Sequence, residues 1–304
     1  MFVRHFFEQM FFSPKWYHYP FIVVLLPFSF VYGIAMWIRR SVAKQVSYGL
    51  PVISIGNLIV GGAGKTPFVI ALASRYSNVT VISRGYGRKS SGLVEVSKNG
   101  NVLVNVEQSG DEAMLIAVSL KNASVIVSED RHKAIKFAIA NGAKSIVLDD
   151  GFNRVDIEKF EILLEPATIQ NYYTFPAGPF REFVTARKHA HIIAKENKAF
   201  TRFVRSENVT NRMVLVTAIS NPSRLDKYLP EGVVAKKYYQ DHAYFDEQSL
   251  IKLLEDNQAS SLLCTSKDRV KMRGFKLPIS EMKLKLEIKK EILTQVDAYI
   301  EGYV

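Results

Sequence analysis

Cysteine occurs once in 304 residues, at Cys264. A single thiol excludes an internal disulfide and suits a reducing compartment, where Cys264 fills core space in a strand. The spaced Cys and His pairs of a zinc finger are absent, as is any RNA-binding signature, so nucleic acid is the least supported partner. No internal repeat, low-complexity tract or Pro/Gly-rich linker interrupts the chain. Acidic residues are few: 29 Asp and Glu stand against 40 Lys and Arg, a formal charge of +11. That imbalance favours an anionic partner, nucleotide or lipid. With 48% hydrophobic residues, the chain is globular and long enough for one large or two ordinary domains.

Charge is missing altogether between positions 16 and 38, where no Asp, Glu, Lys or Arg occurs. About 20 apolar residues suffice to cross a bilayer, so this stretch is long enough. Trp16, Tyr17, Tyr19, Tyr32 and Trp37 sit towards its ends, and Arg39, Arg40 and Lys44 follow it, a pattern that keeps the next segment cytoplasmic. Pro27, Ser29 and Gly33 weaken the case for a simple straight span, so a hairpin or a helix lying in one leaflet stands beside it, with a buried core helix as the remaining reading. Residues 1–14 carry five phenylalanines among polar residues, as interfacial segments do. A cleaved signal peptide is set aside because a nucleotide-binding motif follows.

That motif occupies positions 51–70. A β-branched apolar run, Val52-Ile-Ser-Ile55, leads into Gly61-Gly62-Ala63-Gly64-Lys65-Thr66-Pro67 and then an apolar helix. Glycines let backbone N–H groups approach an anion, and the helix adds its unpaired N–H groups and dipole. Lys65 is placed to reach the β- and γ-phosphates of ATP, and the Thr66 hydroxyl to coordinate Mg²⁺. The usual loop spacing would put glycine at position 59; this chain has Ile59.

Strands alternating with helices over residues 45–208 predict a P-loop NTPase-like α/β domain, a doubly wound parallel sheet. Ser83-Arg-Gly-Tyr-Gly-Arg88 closes one strand as a basic loop, either on the ligand side or as an ordinary turn. Asn99-Gly100 marks a hairpin. Asp111 and Glu112 open a helix, either as caps or with one of them as a base. Asp149 and Asp150 end a strand, where Mg²⁺ is held in such folds. Pro176-Ala-Gly-Pro-Phe-Arg181-Glu182 is a rigid turn presenting Arg181, whose planar fork suits phosphate. Residues 209–304 read as a smaller C-terminal α/β lobe, and residues 1–44 as a hydrophobic, membrane-associated N-terminal helix.

In this order, Gly56-Asn57, the Gly61–Pro67 loop, Ser83–Arg88, Gly110-Asp111-Glu112, Asp130-Arg131, Asp149-Asp150-Gly151-Phe152, Pro176–Glu182, Asp241-His242 and Thr265-Ser-Lys267-Asp268 resemble the tetraacyldisaccharide 4′-kinase family of lipid A synthesis over essentially the whole chain. The resemblance implies transfer of the ATP γ-phosphate, with Mg²⁺, to the 4′-hydroxyl of a tetraacyl glucosamine disaccharide 1-phosphate. It also implies a location at the cytoplasmic face of a bacterial inner membrane, in contact with anionic lipid and with no obligate protein partner. Asp111 is then the base, paired with His242, and Asp149 and Asp150 serve metal and nucleotide. Arg181 and Glu182, with Arg88 and Glu112, face the substrate. Where the family usually continues Gln-His after Asp-Gly-Phe, this chain has Asn153-Arg154, so no role of that pair carries over. The alternatives are a membrane-associated ATPase of metallochaperone or switch type, and a scaffold with a vestigial loop.

Overall fold

A computed structural model describes residues 2–61 and 64–303. Gly62 and Ala63, expected to bind nucleotide, lie outside the described residues. The elements run in order: helices α1 (Phe2–Phe12) and α2 (Tyr19–Val42), strand β1 (Val52–Gly56), α3 (Lys65–Ala73), β2 (Val79–Ser83), β3 (Val94–Lys98), β4 (Asn101–Val102), α4 (Val106–Ser109), α5 (Asp111–Ser119), β5 (Ser124–Val127), α6 (Arg131–Ala140), β6 (Ser145–Asp149), β7 (Phe160–Glu165) and β8 (Ile192–Lys195). There follow β9 (Phe200–Glu207), β10 (Met213–Thr217), β11 (Val233–Tyr238), α7 (Glu247–Asp256), β12 (Ser261–Thr265), α8 (Ser266–Arg269), β13 (Ile279–Ile288) and α9 (Lys290–Glu301).

The first sheet has the order β4-β3-β5-β2-β6-β1-β7-β8. It is parallel from β5 to β8, with β3 antiparallel to β5 and to β4 at one edge. Its central strands are buried on both faces, which explains their continuous β-branched runs. Ile53, Ile55, Val81, Val125 and Val147 pack under α3, α5 and α9 through Phe68, Leu72, Met114, Ile116, Ile292 and Val296. The alternate set, Val52, Ile82, Ile126, Ile146 and Leu148, meets Ala134, Ile135 and Ala138 of α6. Parallel strands end together, so the loops after β1, β2 and β6 share one edge, where ligands bind in open α/β sheets.

The second sheet has the order β11-β10-β12-β13-β9, and Cys264 lies buried in β12 beneath Leu250 and Leu254 of α7. Two features correct the expected division at 208/209. Strand β9, on the first side of that boundary, pairs antiparallel with β13 from Phe200↔Ile288 to Glu207↔Glu281. Helix α9, at the far end of the chain, returns to the first sheet, where Tyr76 donates to Asp297 at 2.6 Å. The two units therefore exchange elements instead of following one another.

Helices α1 and α2 fold back on each other around Met10 and Ile22, which meet Ala177. One stripe of α2 is docked on the protein along its length. Ser29 Oγ accepts from Ala177 N–H at 2.8 Å, and Ser29 O accepts from Thr174 at 2.7 Å. Further along, a Cβ on Gly33 would stand 2.3 Å from the Phe183 ring, and Arg40 forks onto both oxygens of Glu182 at 2.7 and 2.8 Å. The polar and small residues that interrupt the apolar run are this docking stripe. The opposite face leaves Phe21, Val24, Phe28, Val31 and Trp37 exposed.

Gly33→Leu inserts a side chain where the Phe183 ring already lies; overpacking of this kind costs about 1–3 kcal/mol. A lower thermal midpoint and faster proteolysis in the segment after α2 are expected. Wild-type values for both would show that this close approach does not hold the helix.

Candidate active site

Gly64 adopts the left-handed conformation at φ 77° and caps α3, so that Lys65 and Thr66 begin the helix. Lys65 Nζ donates to Asn57 Oδ1 at 3.0 Å and lies 3.5 Å from Asp150 Oδ1. Asn57 is fully buried, and its amide donates to Ile59 O at 2.8 Å, tying the loop to itself. Asn57 thus organises the loop, a role that motif spacing alone did not assign. Ile59 bridges antiparallel to Phe180 and is buried with Phe152 and Leu163. Position 59 docks the loop on the Phe175–Arg181 turn, which is why an apolar residue replaces the usual glycine. Thr66 is half-buried beside Lys65.

Asp149 and Asp150 end β6 in unlike surroundings. Asp149 is 4% exposed; its Oδ2 accepts from Ser83 Oγ at 3.1 Å, and its Oδ1 has no partner among the described residues. Burial above all, then the charges of Glu112 and Asp150, lift its pKa to about 7 against the pull of Lys65 and Ser83. Asp150 sits at φ 56° between Lys65 and Arg181, whose Nη1 lies 3.2 and 3.3 Å from its two oxygens. Burial pushes its pKa up, but those two cations hold it below the usual carboxylate value.

Asp111 opens α5, yet its side chain caps nothing. Its Oδ2 accepts from His242 Nδ1 at 2.9 Å and lies 3.6 Å from Lys267 Nζ and 3.5 Å from Lys271 Nζ. Its Oδ1 is buried with no partner among the described residues. Burial pushes this carboxyl up, and His242, Lys267 and Lys271 together pull it below its ordinary pKa. Lys267 also reaches Glu112 at 3.2 Å. Lys271 bridges on to Asp268, a fully buried carboxylate that accepts from Thr217, Thr265 and Ala218 N–H at 2.7–3.0 Å. Lys267 and Lys271 were not assigned from sequence; their i, i+4 spacing at the end of β12 was the available signal.

Two residues expected at the substrate make other contacts here, although Arg88 Nε and Nη1 have no partner among the described residues. The Arg88 side chain, 2% exposed, donates to Glu129 at 2.5 Å and to Gly92 O at 2.6 Å. It anchors its own glycine-rich loop, because a buried guanidinium takes a counter-ion where one is available. Glu182 is held by Arg40 of α2 and fastens that helix, as described above. Arg181 and Glu112 do border the cluster, through Asp150 and Lys267.

The sequence matches the family described as tetraacyldisaccharide-1-P 4′-kinase over residues 21–210 and 193–301. A tetraacyldisaccharide 4′-kinase of Helicobacter pylori strain J99 is 48% identical over 302 residues, spanning 99% of this chain and 96% of the relative. This chain belongs to the tetraacyldisaccharide 4′-kinase family. A family member from Aliarcobacter butzleri is 40% identical over 305 residues, 97% of each chain. Among solved structures, "apo" form LpxK from Aquifex aeolicus in complex with ATP aligns with a TM-score of 0.79 at 27% identity, over 92% of this chain and 99% of that one. The chain is therefore a lipid A 4′-kinase by family, and the switch-type ATPase alternative is not favoured.

The raised pKa of Asp149 fixes a pH dependence. The folded state holds this proton up to about pH 7 and the unfolded state releases it near 3.8, so the group's contribution to stability declines as pH rises between those values. Nucleotide-free protein should lose thermal stability over that window relative to Asp149→Asn, whose curve is flatter. Parallel curves for the two proteins would contradict the assignment.

Proposed function

We propose that the γ-phosphate of ATP passes to the 4′-hydroxyl of a tetraacyl disaccharide 1-phosphate between the phosphate loop and the Asp111–His242 pair. The observation that carries this is Asp111 itself. It is a buried carboxylate at the ligand edge of the sheet, with one oxygen held by three groups of the second unit and the other without a partner. A sugar hydroxyl is a poor nucleophile until a base removes its proton. As the sugar oxygen bonds to the γ-phosphorus, its proton goes to Asp111, the bond from phosphorus to the β–γ bridging oxygen breaks, and ADP leaves. A carboxylate with a depressed pKa is a weak base, so the pair, rather than Asp111 alone, takes the proton. With Oδ2 kept on His242, the unpartnered Oδ1 is the oxygen that would face the hydroxyl.

Lys65 carries positive charge to the transferred phosphoryl group. Among the described residues, no three His, Cys, Asp or Glu side chains converge as a protein-only metal site. Mg²⁺ commonly uses one or two carboxylates together with phosphates and waters. The unpartnered oxygen of Asp149 and its resistance to ionisation fit a carboxylate that awaits a cation. Thr66, Asp149 and Asp150 would hold Mg²⁺, which when bound neutralises charge on the phosphates. Arg181 and Glu112 then border the acceptor.

The substrate's acyl chains place the reaction at a bilayer, here the cytoplasmic face of the inner membrane. The segment Trp16–Val42 is apolar enough to span, with a mean hydropathy of 2.3 over its best window. Its docked stripe nevertheless runs from Ile22 to Arg40, and a helix bound along that length has only its outer face for lipid. We read α1 and α2 as lying in one leaflet, with Arg39 and Lys44 towards anionic headgroups.

The test is labelled ATP with Mg²⁺ and the disaccharide acceptor, followed by detection of 4′-phosphorylated product. Lys65→Ala is expected to abolish transfer. Asp111→Asn should lower kcat by roughly 10²–10⁴-fold, the usual share of a general base, while leaving the ATP KM near wild type. An effect of Asp111→Asn confined to the ATP KM would remove it as the proton acceptor.

A further inference from the structure

We propose that Arg202, carried by the second sheet and held by Glu196, is a positioning residue for the phosphate loop and a determinant of ATP affinity. This rests on the reading of the Gly61–Thr66 loop as the ATP site. Strand β9 is the edge of the second sheet, and its residues 200 and 202 share one face by the two-residue period of a strand. Phe200 is buried and meets Phe68 of α3 edge-on, with ring centroids 5.5 Å apart. That contact pins β9 against the first turn of α3, immediately after Lys65 and Thr66. Two residues along, Arg202 then falls on the loop: a Cβ built on Gly64 would stand 2.8 Å from Arg202 Nη1. Gly64 has a second reason to be glycine, its left-handed φ of 77°.

The guanidinium is held in place from the first sheet. Glu196 directly follows β8, and its N–H donates to Glu165 O at 3.0 Å. Its two oxygens take Arg202 Nε at 2.8 Å and Nη2 at 2.5 Å, a bidentate pair that fixes the plane of the fork. Nη1 is thereby left as the nitrogen turned to Gly64. Asn197, at φ 65°, makes the short turn that brings Glu196 and β9 together. A positive group fixed by Glu196 against Gly64, the residue before Lys65, adds charge of the sign that an ATP site needs. Lys65 is the loop's own cation; Arg202 is a second one that reaches it only because β9 has crossed into the other sheet.

The experiment is ATP titration by calorimetry on the full-length protein in detergent, with steady-state kinetics alongside. Arg202→Met keeps length and removes charge; it should weaken ATP binding and raise the ATP KM about tenfold, which is about 1.4 kcal/mol. Its kcat at saturating ATP and its KM for the lipid acceptor should stay near wild type. Arg202→Lys should restore part of the affinity, and Glu196→Gln should lose part of it. Wild-type ATP affinity in Arg202→Met, with Lys65→Ala defective in the same assay, would overturn the role of Arg202 alone. Normal ATP binding by Lys65→Ala would instead remove the loop assignment, and this proposal with it. If Arg202→Met does not fold, the Lys and Gln variants decide: unchanged ATP affinity in both contradicts the proposal.

Discussion

The arrangement depends on one buried carboxylate. Asp111 belongs to a helix of the first sheet, and the groups that hold it, His242, Lys267 and Lys271, all follow strands of the second. Taking a carboxylate out of water is costly, and only close cationic and hydrogen-bonding partners offset that cost. Removing them from Asp111 would leave its charge stranded, so the two units meet here or Asp111 is protonated. The network continues on both sides, through Lys267 to Glu112 and through Lys271 to Asp268. A contact of this kind joins the units and fixes the carboxylate that we propose as proton acceptor.

Other elements serve the same meeting of units. Strand β9 and helix α9 each cross to the other sheet, so neither unit completes its packing alone. On the side of the apolar helices, Arg40 links α2 to Glu182, next to Arg181, which in turn faces Asp150. The apolar helices are therefore joined by a short run of residues to the aspartates at the end of β6. Under the membrane docking proposed above, this connection would hold the site at a fixed height above the lipid.

Much of this was legible in the sequence, for identifiable reasons. Buried parallel strands read as β-branched runs, so β1, β2, β5, β6, β7, β10 and β12 stood out. Asn99-Gly100 gave the β3–β4 turn, whereas the capping by Asp130 and Asp246, whose oxygens accept from Lys133 and Ser249 N–H, emerged only with the structure. Strand β9 was missed because an edge strand with Arg202, Arg205 and Glu207 on a half-exposed surface shows weak alternation. The union of Asp111 with His242, 131 positions apart, has no local signal; it came from family resemblance. Arg88 and Glu182 show the opposite limit. A charged residue in a motif announces that it needs a partner, and only the fold reveals that the partners are Glu129 and Arg40.

The central claim, that Asp111 and His242 accept the proton as one unit, is tested most directly by a double-mutant cycle on kcat with Asp111→Asn, His242→Gln and the combination. Groups that act together lose their contribution once. The account predicts that the double variant is little slower than Asp111→Asn alone. Losses that multiply across the two substitutions would show two independent contributions and contradict it.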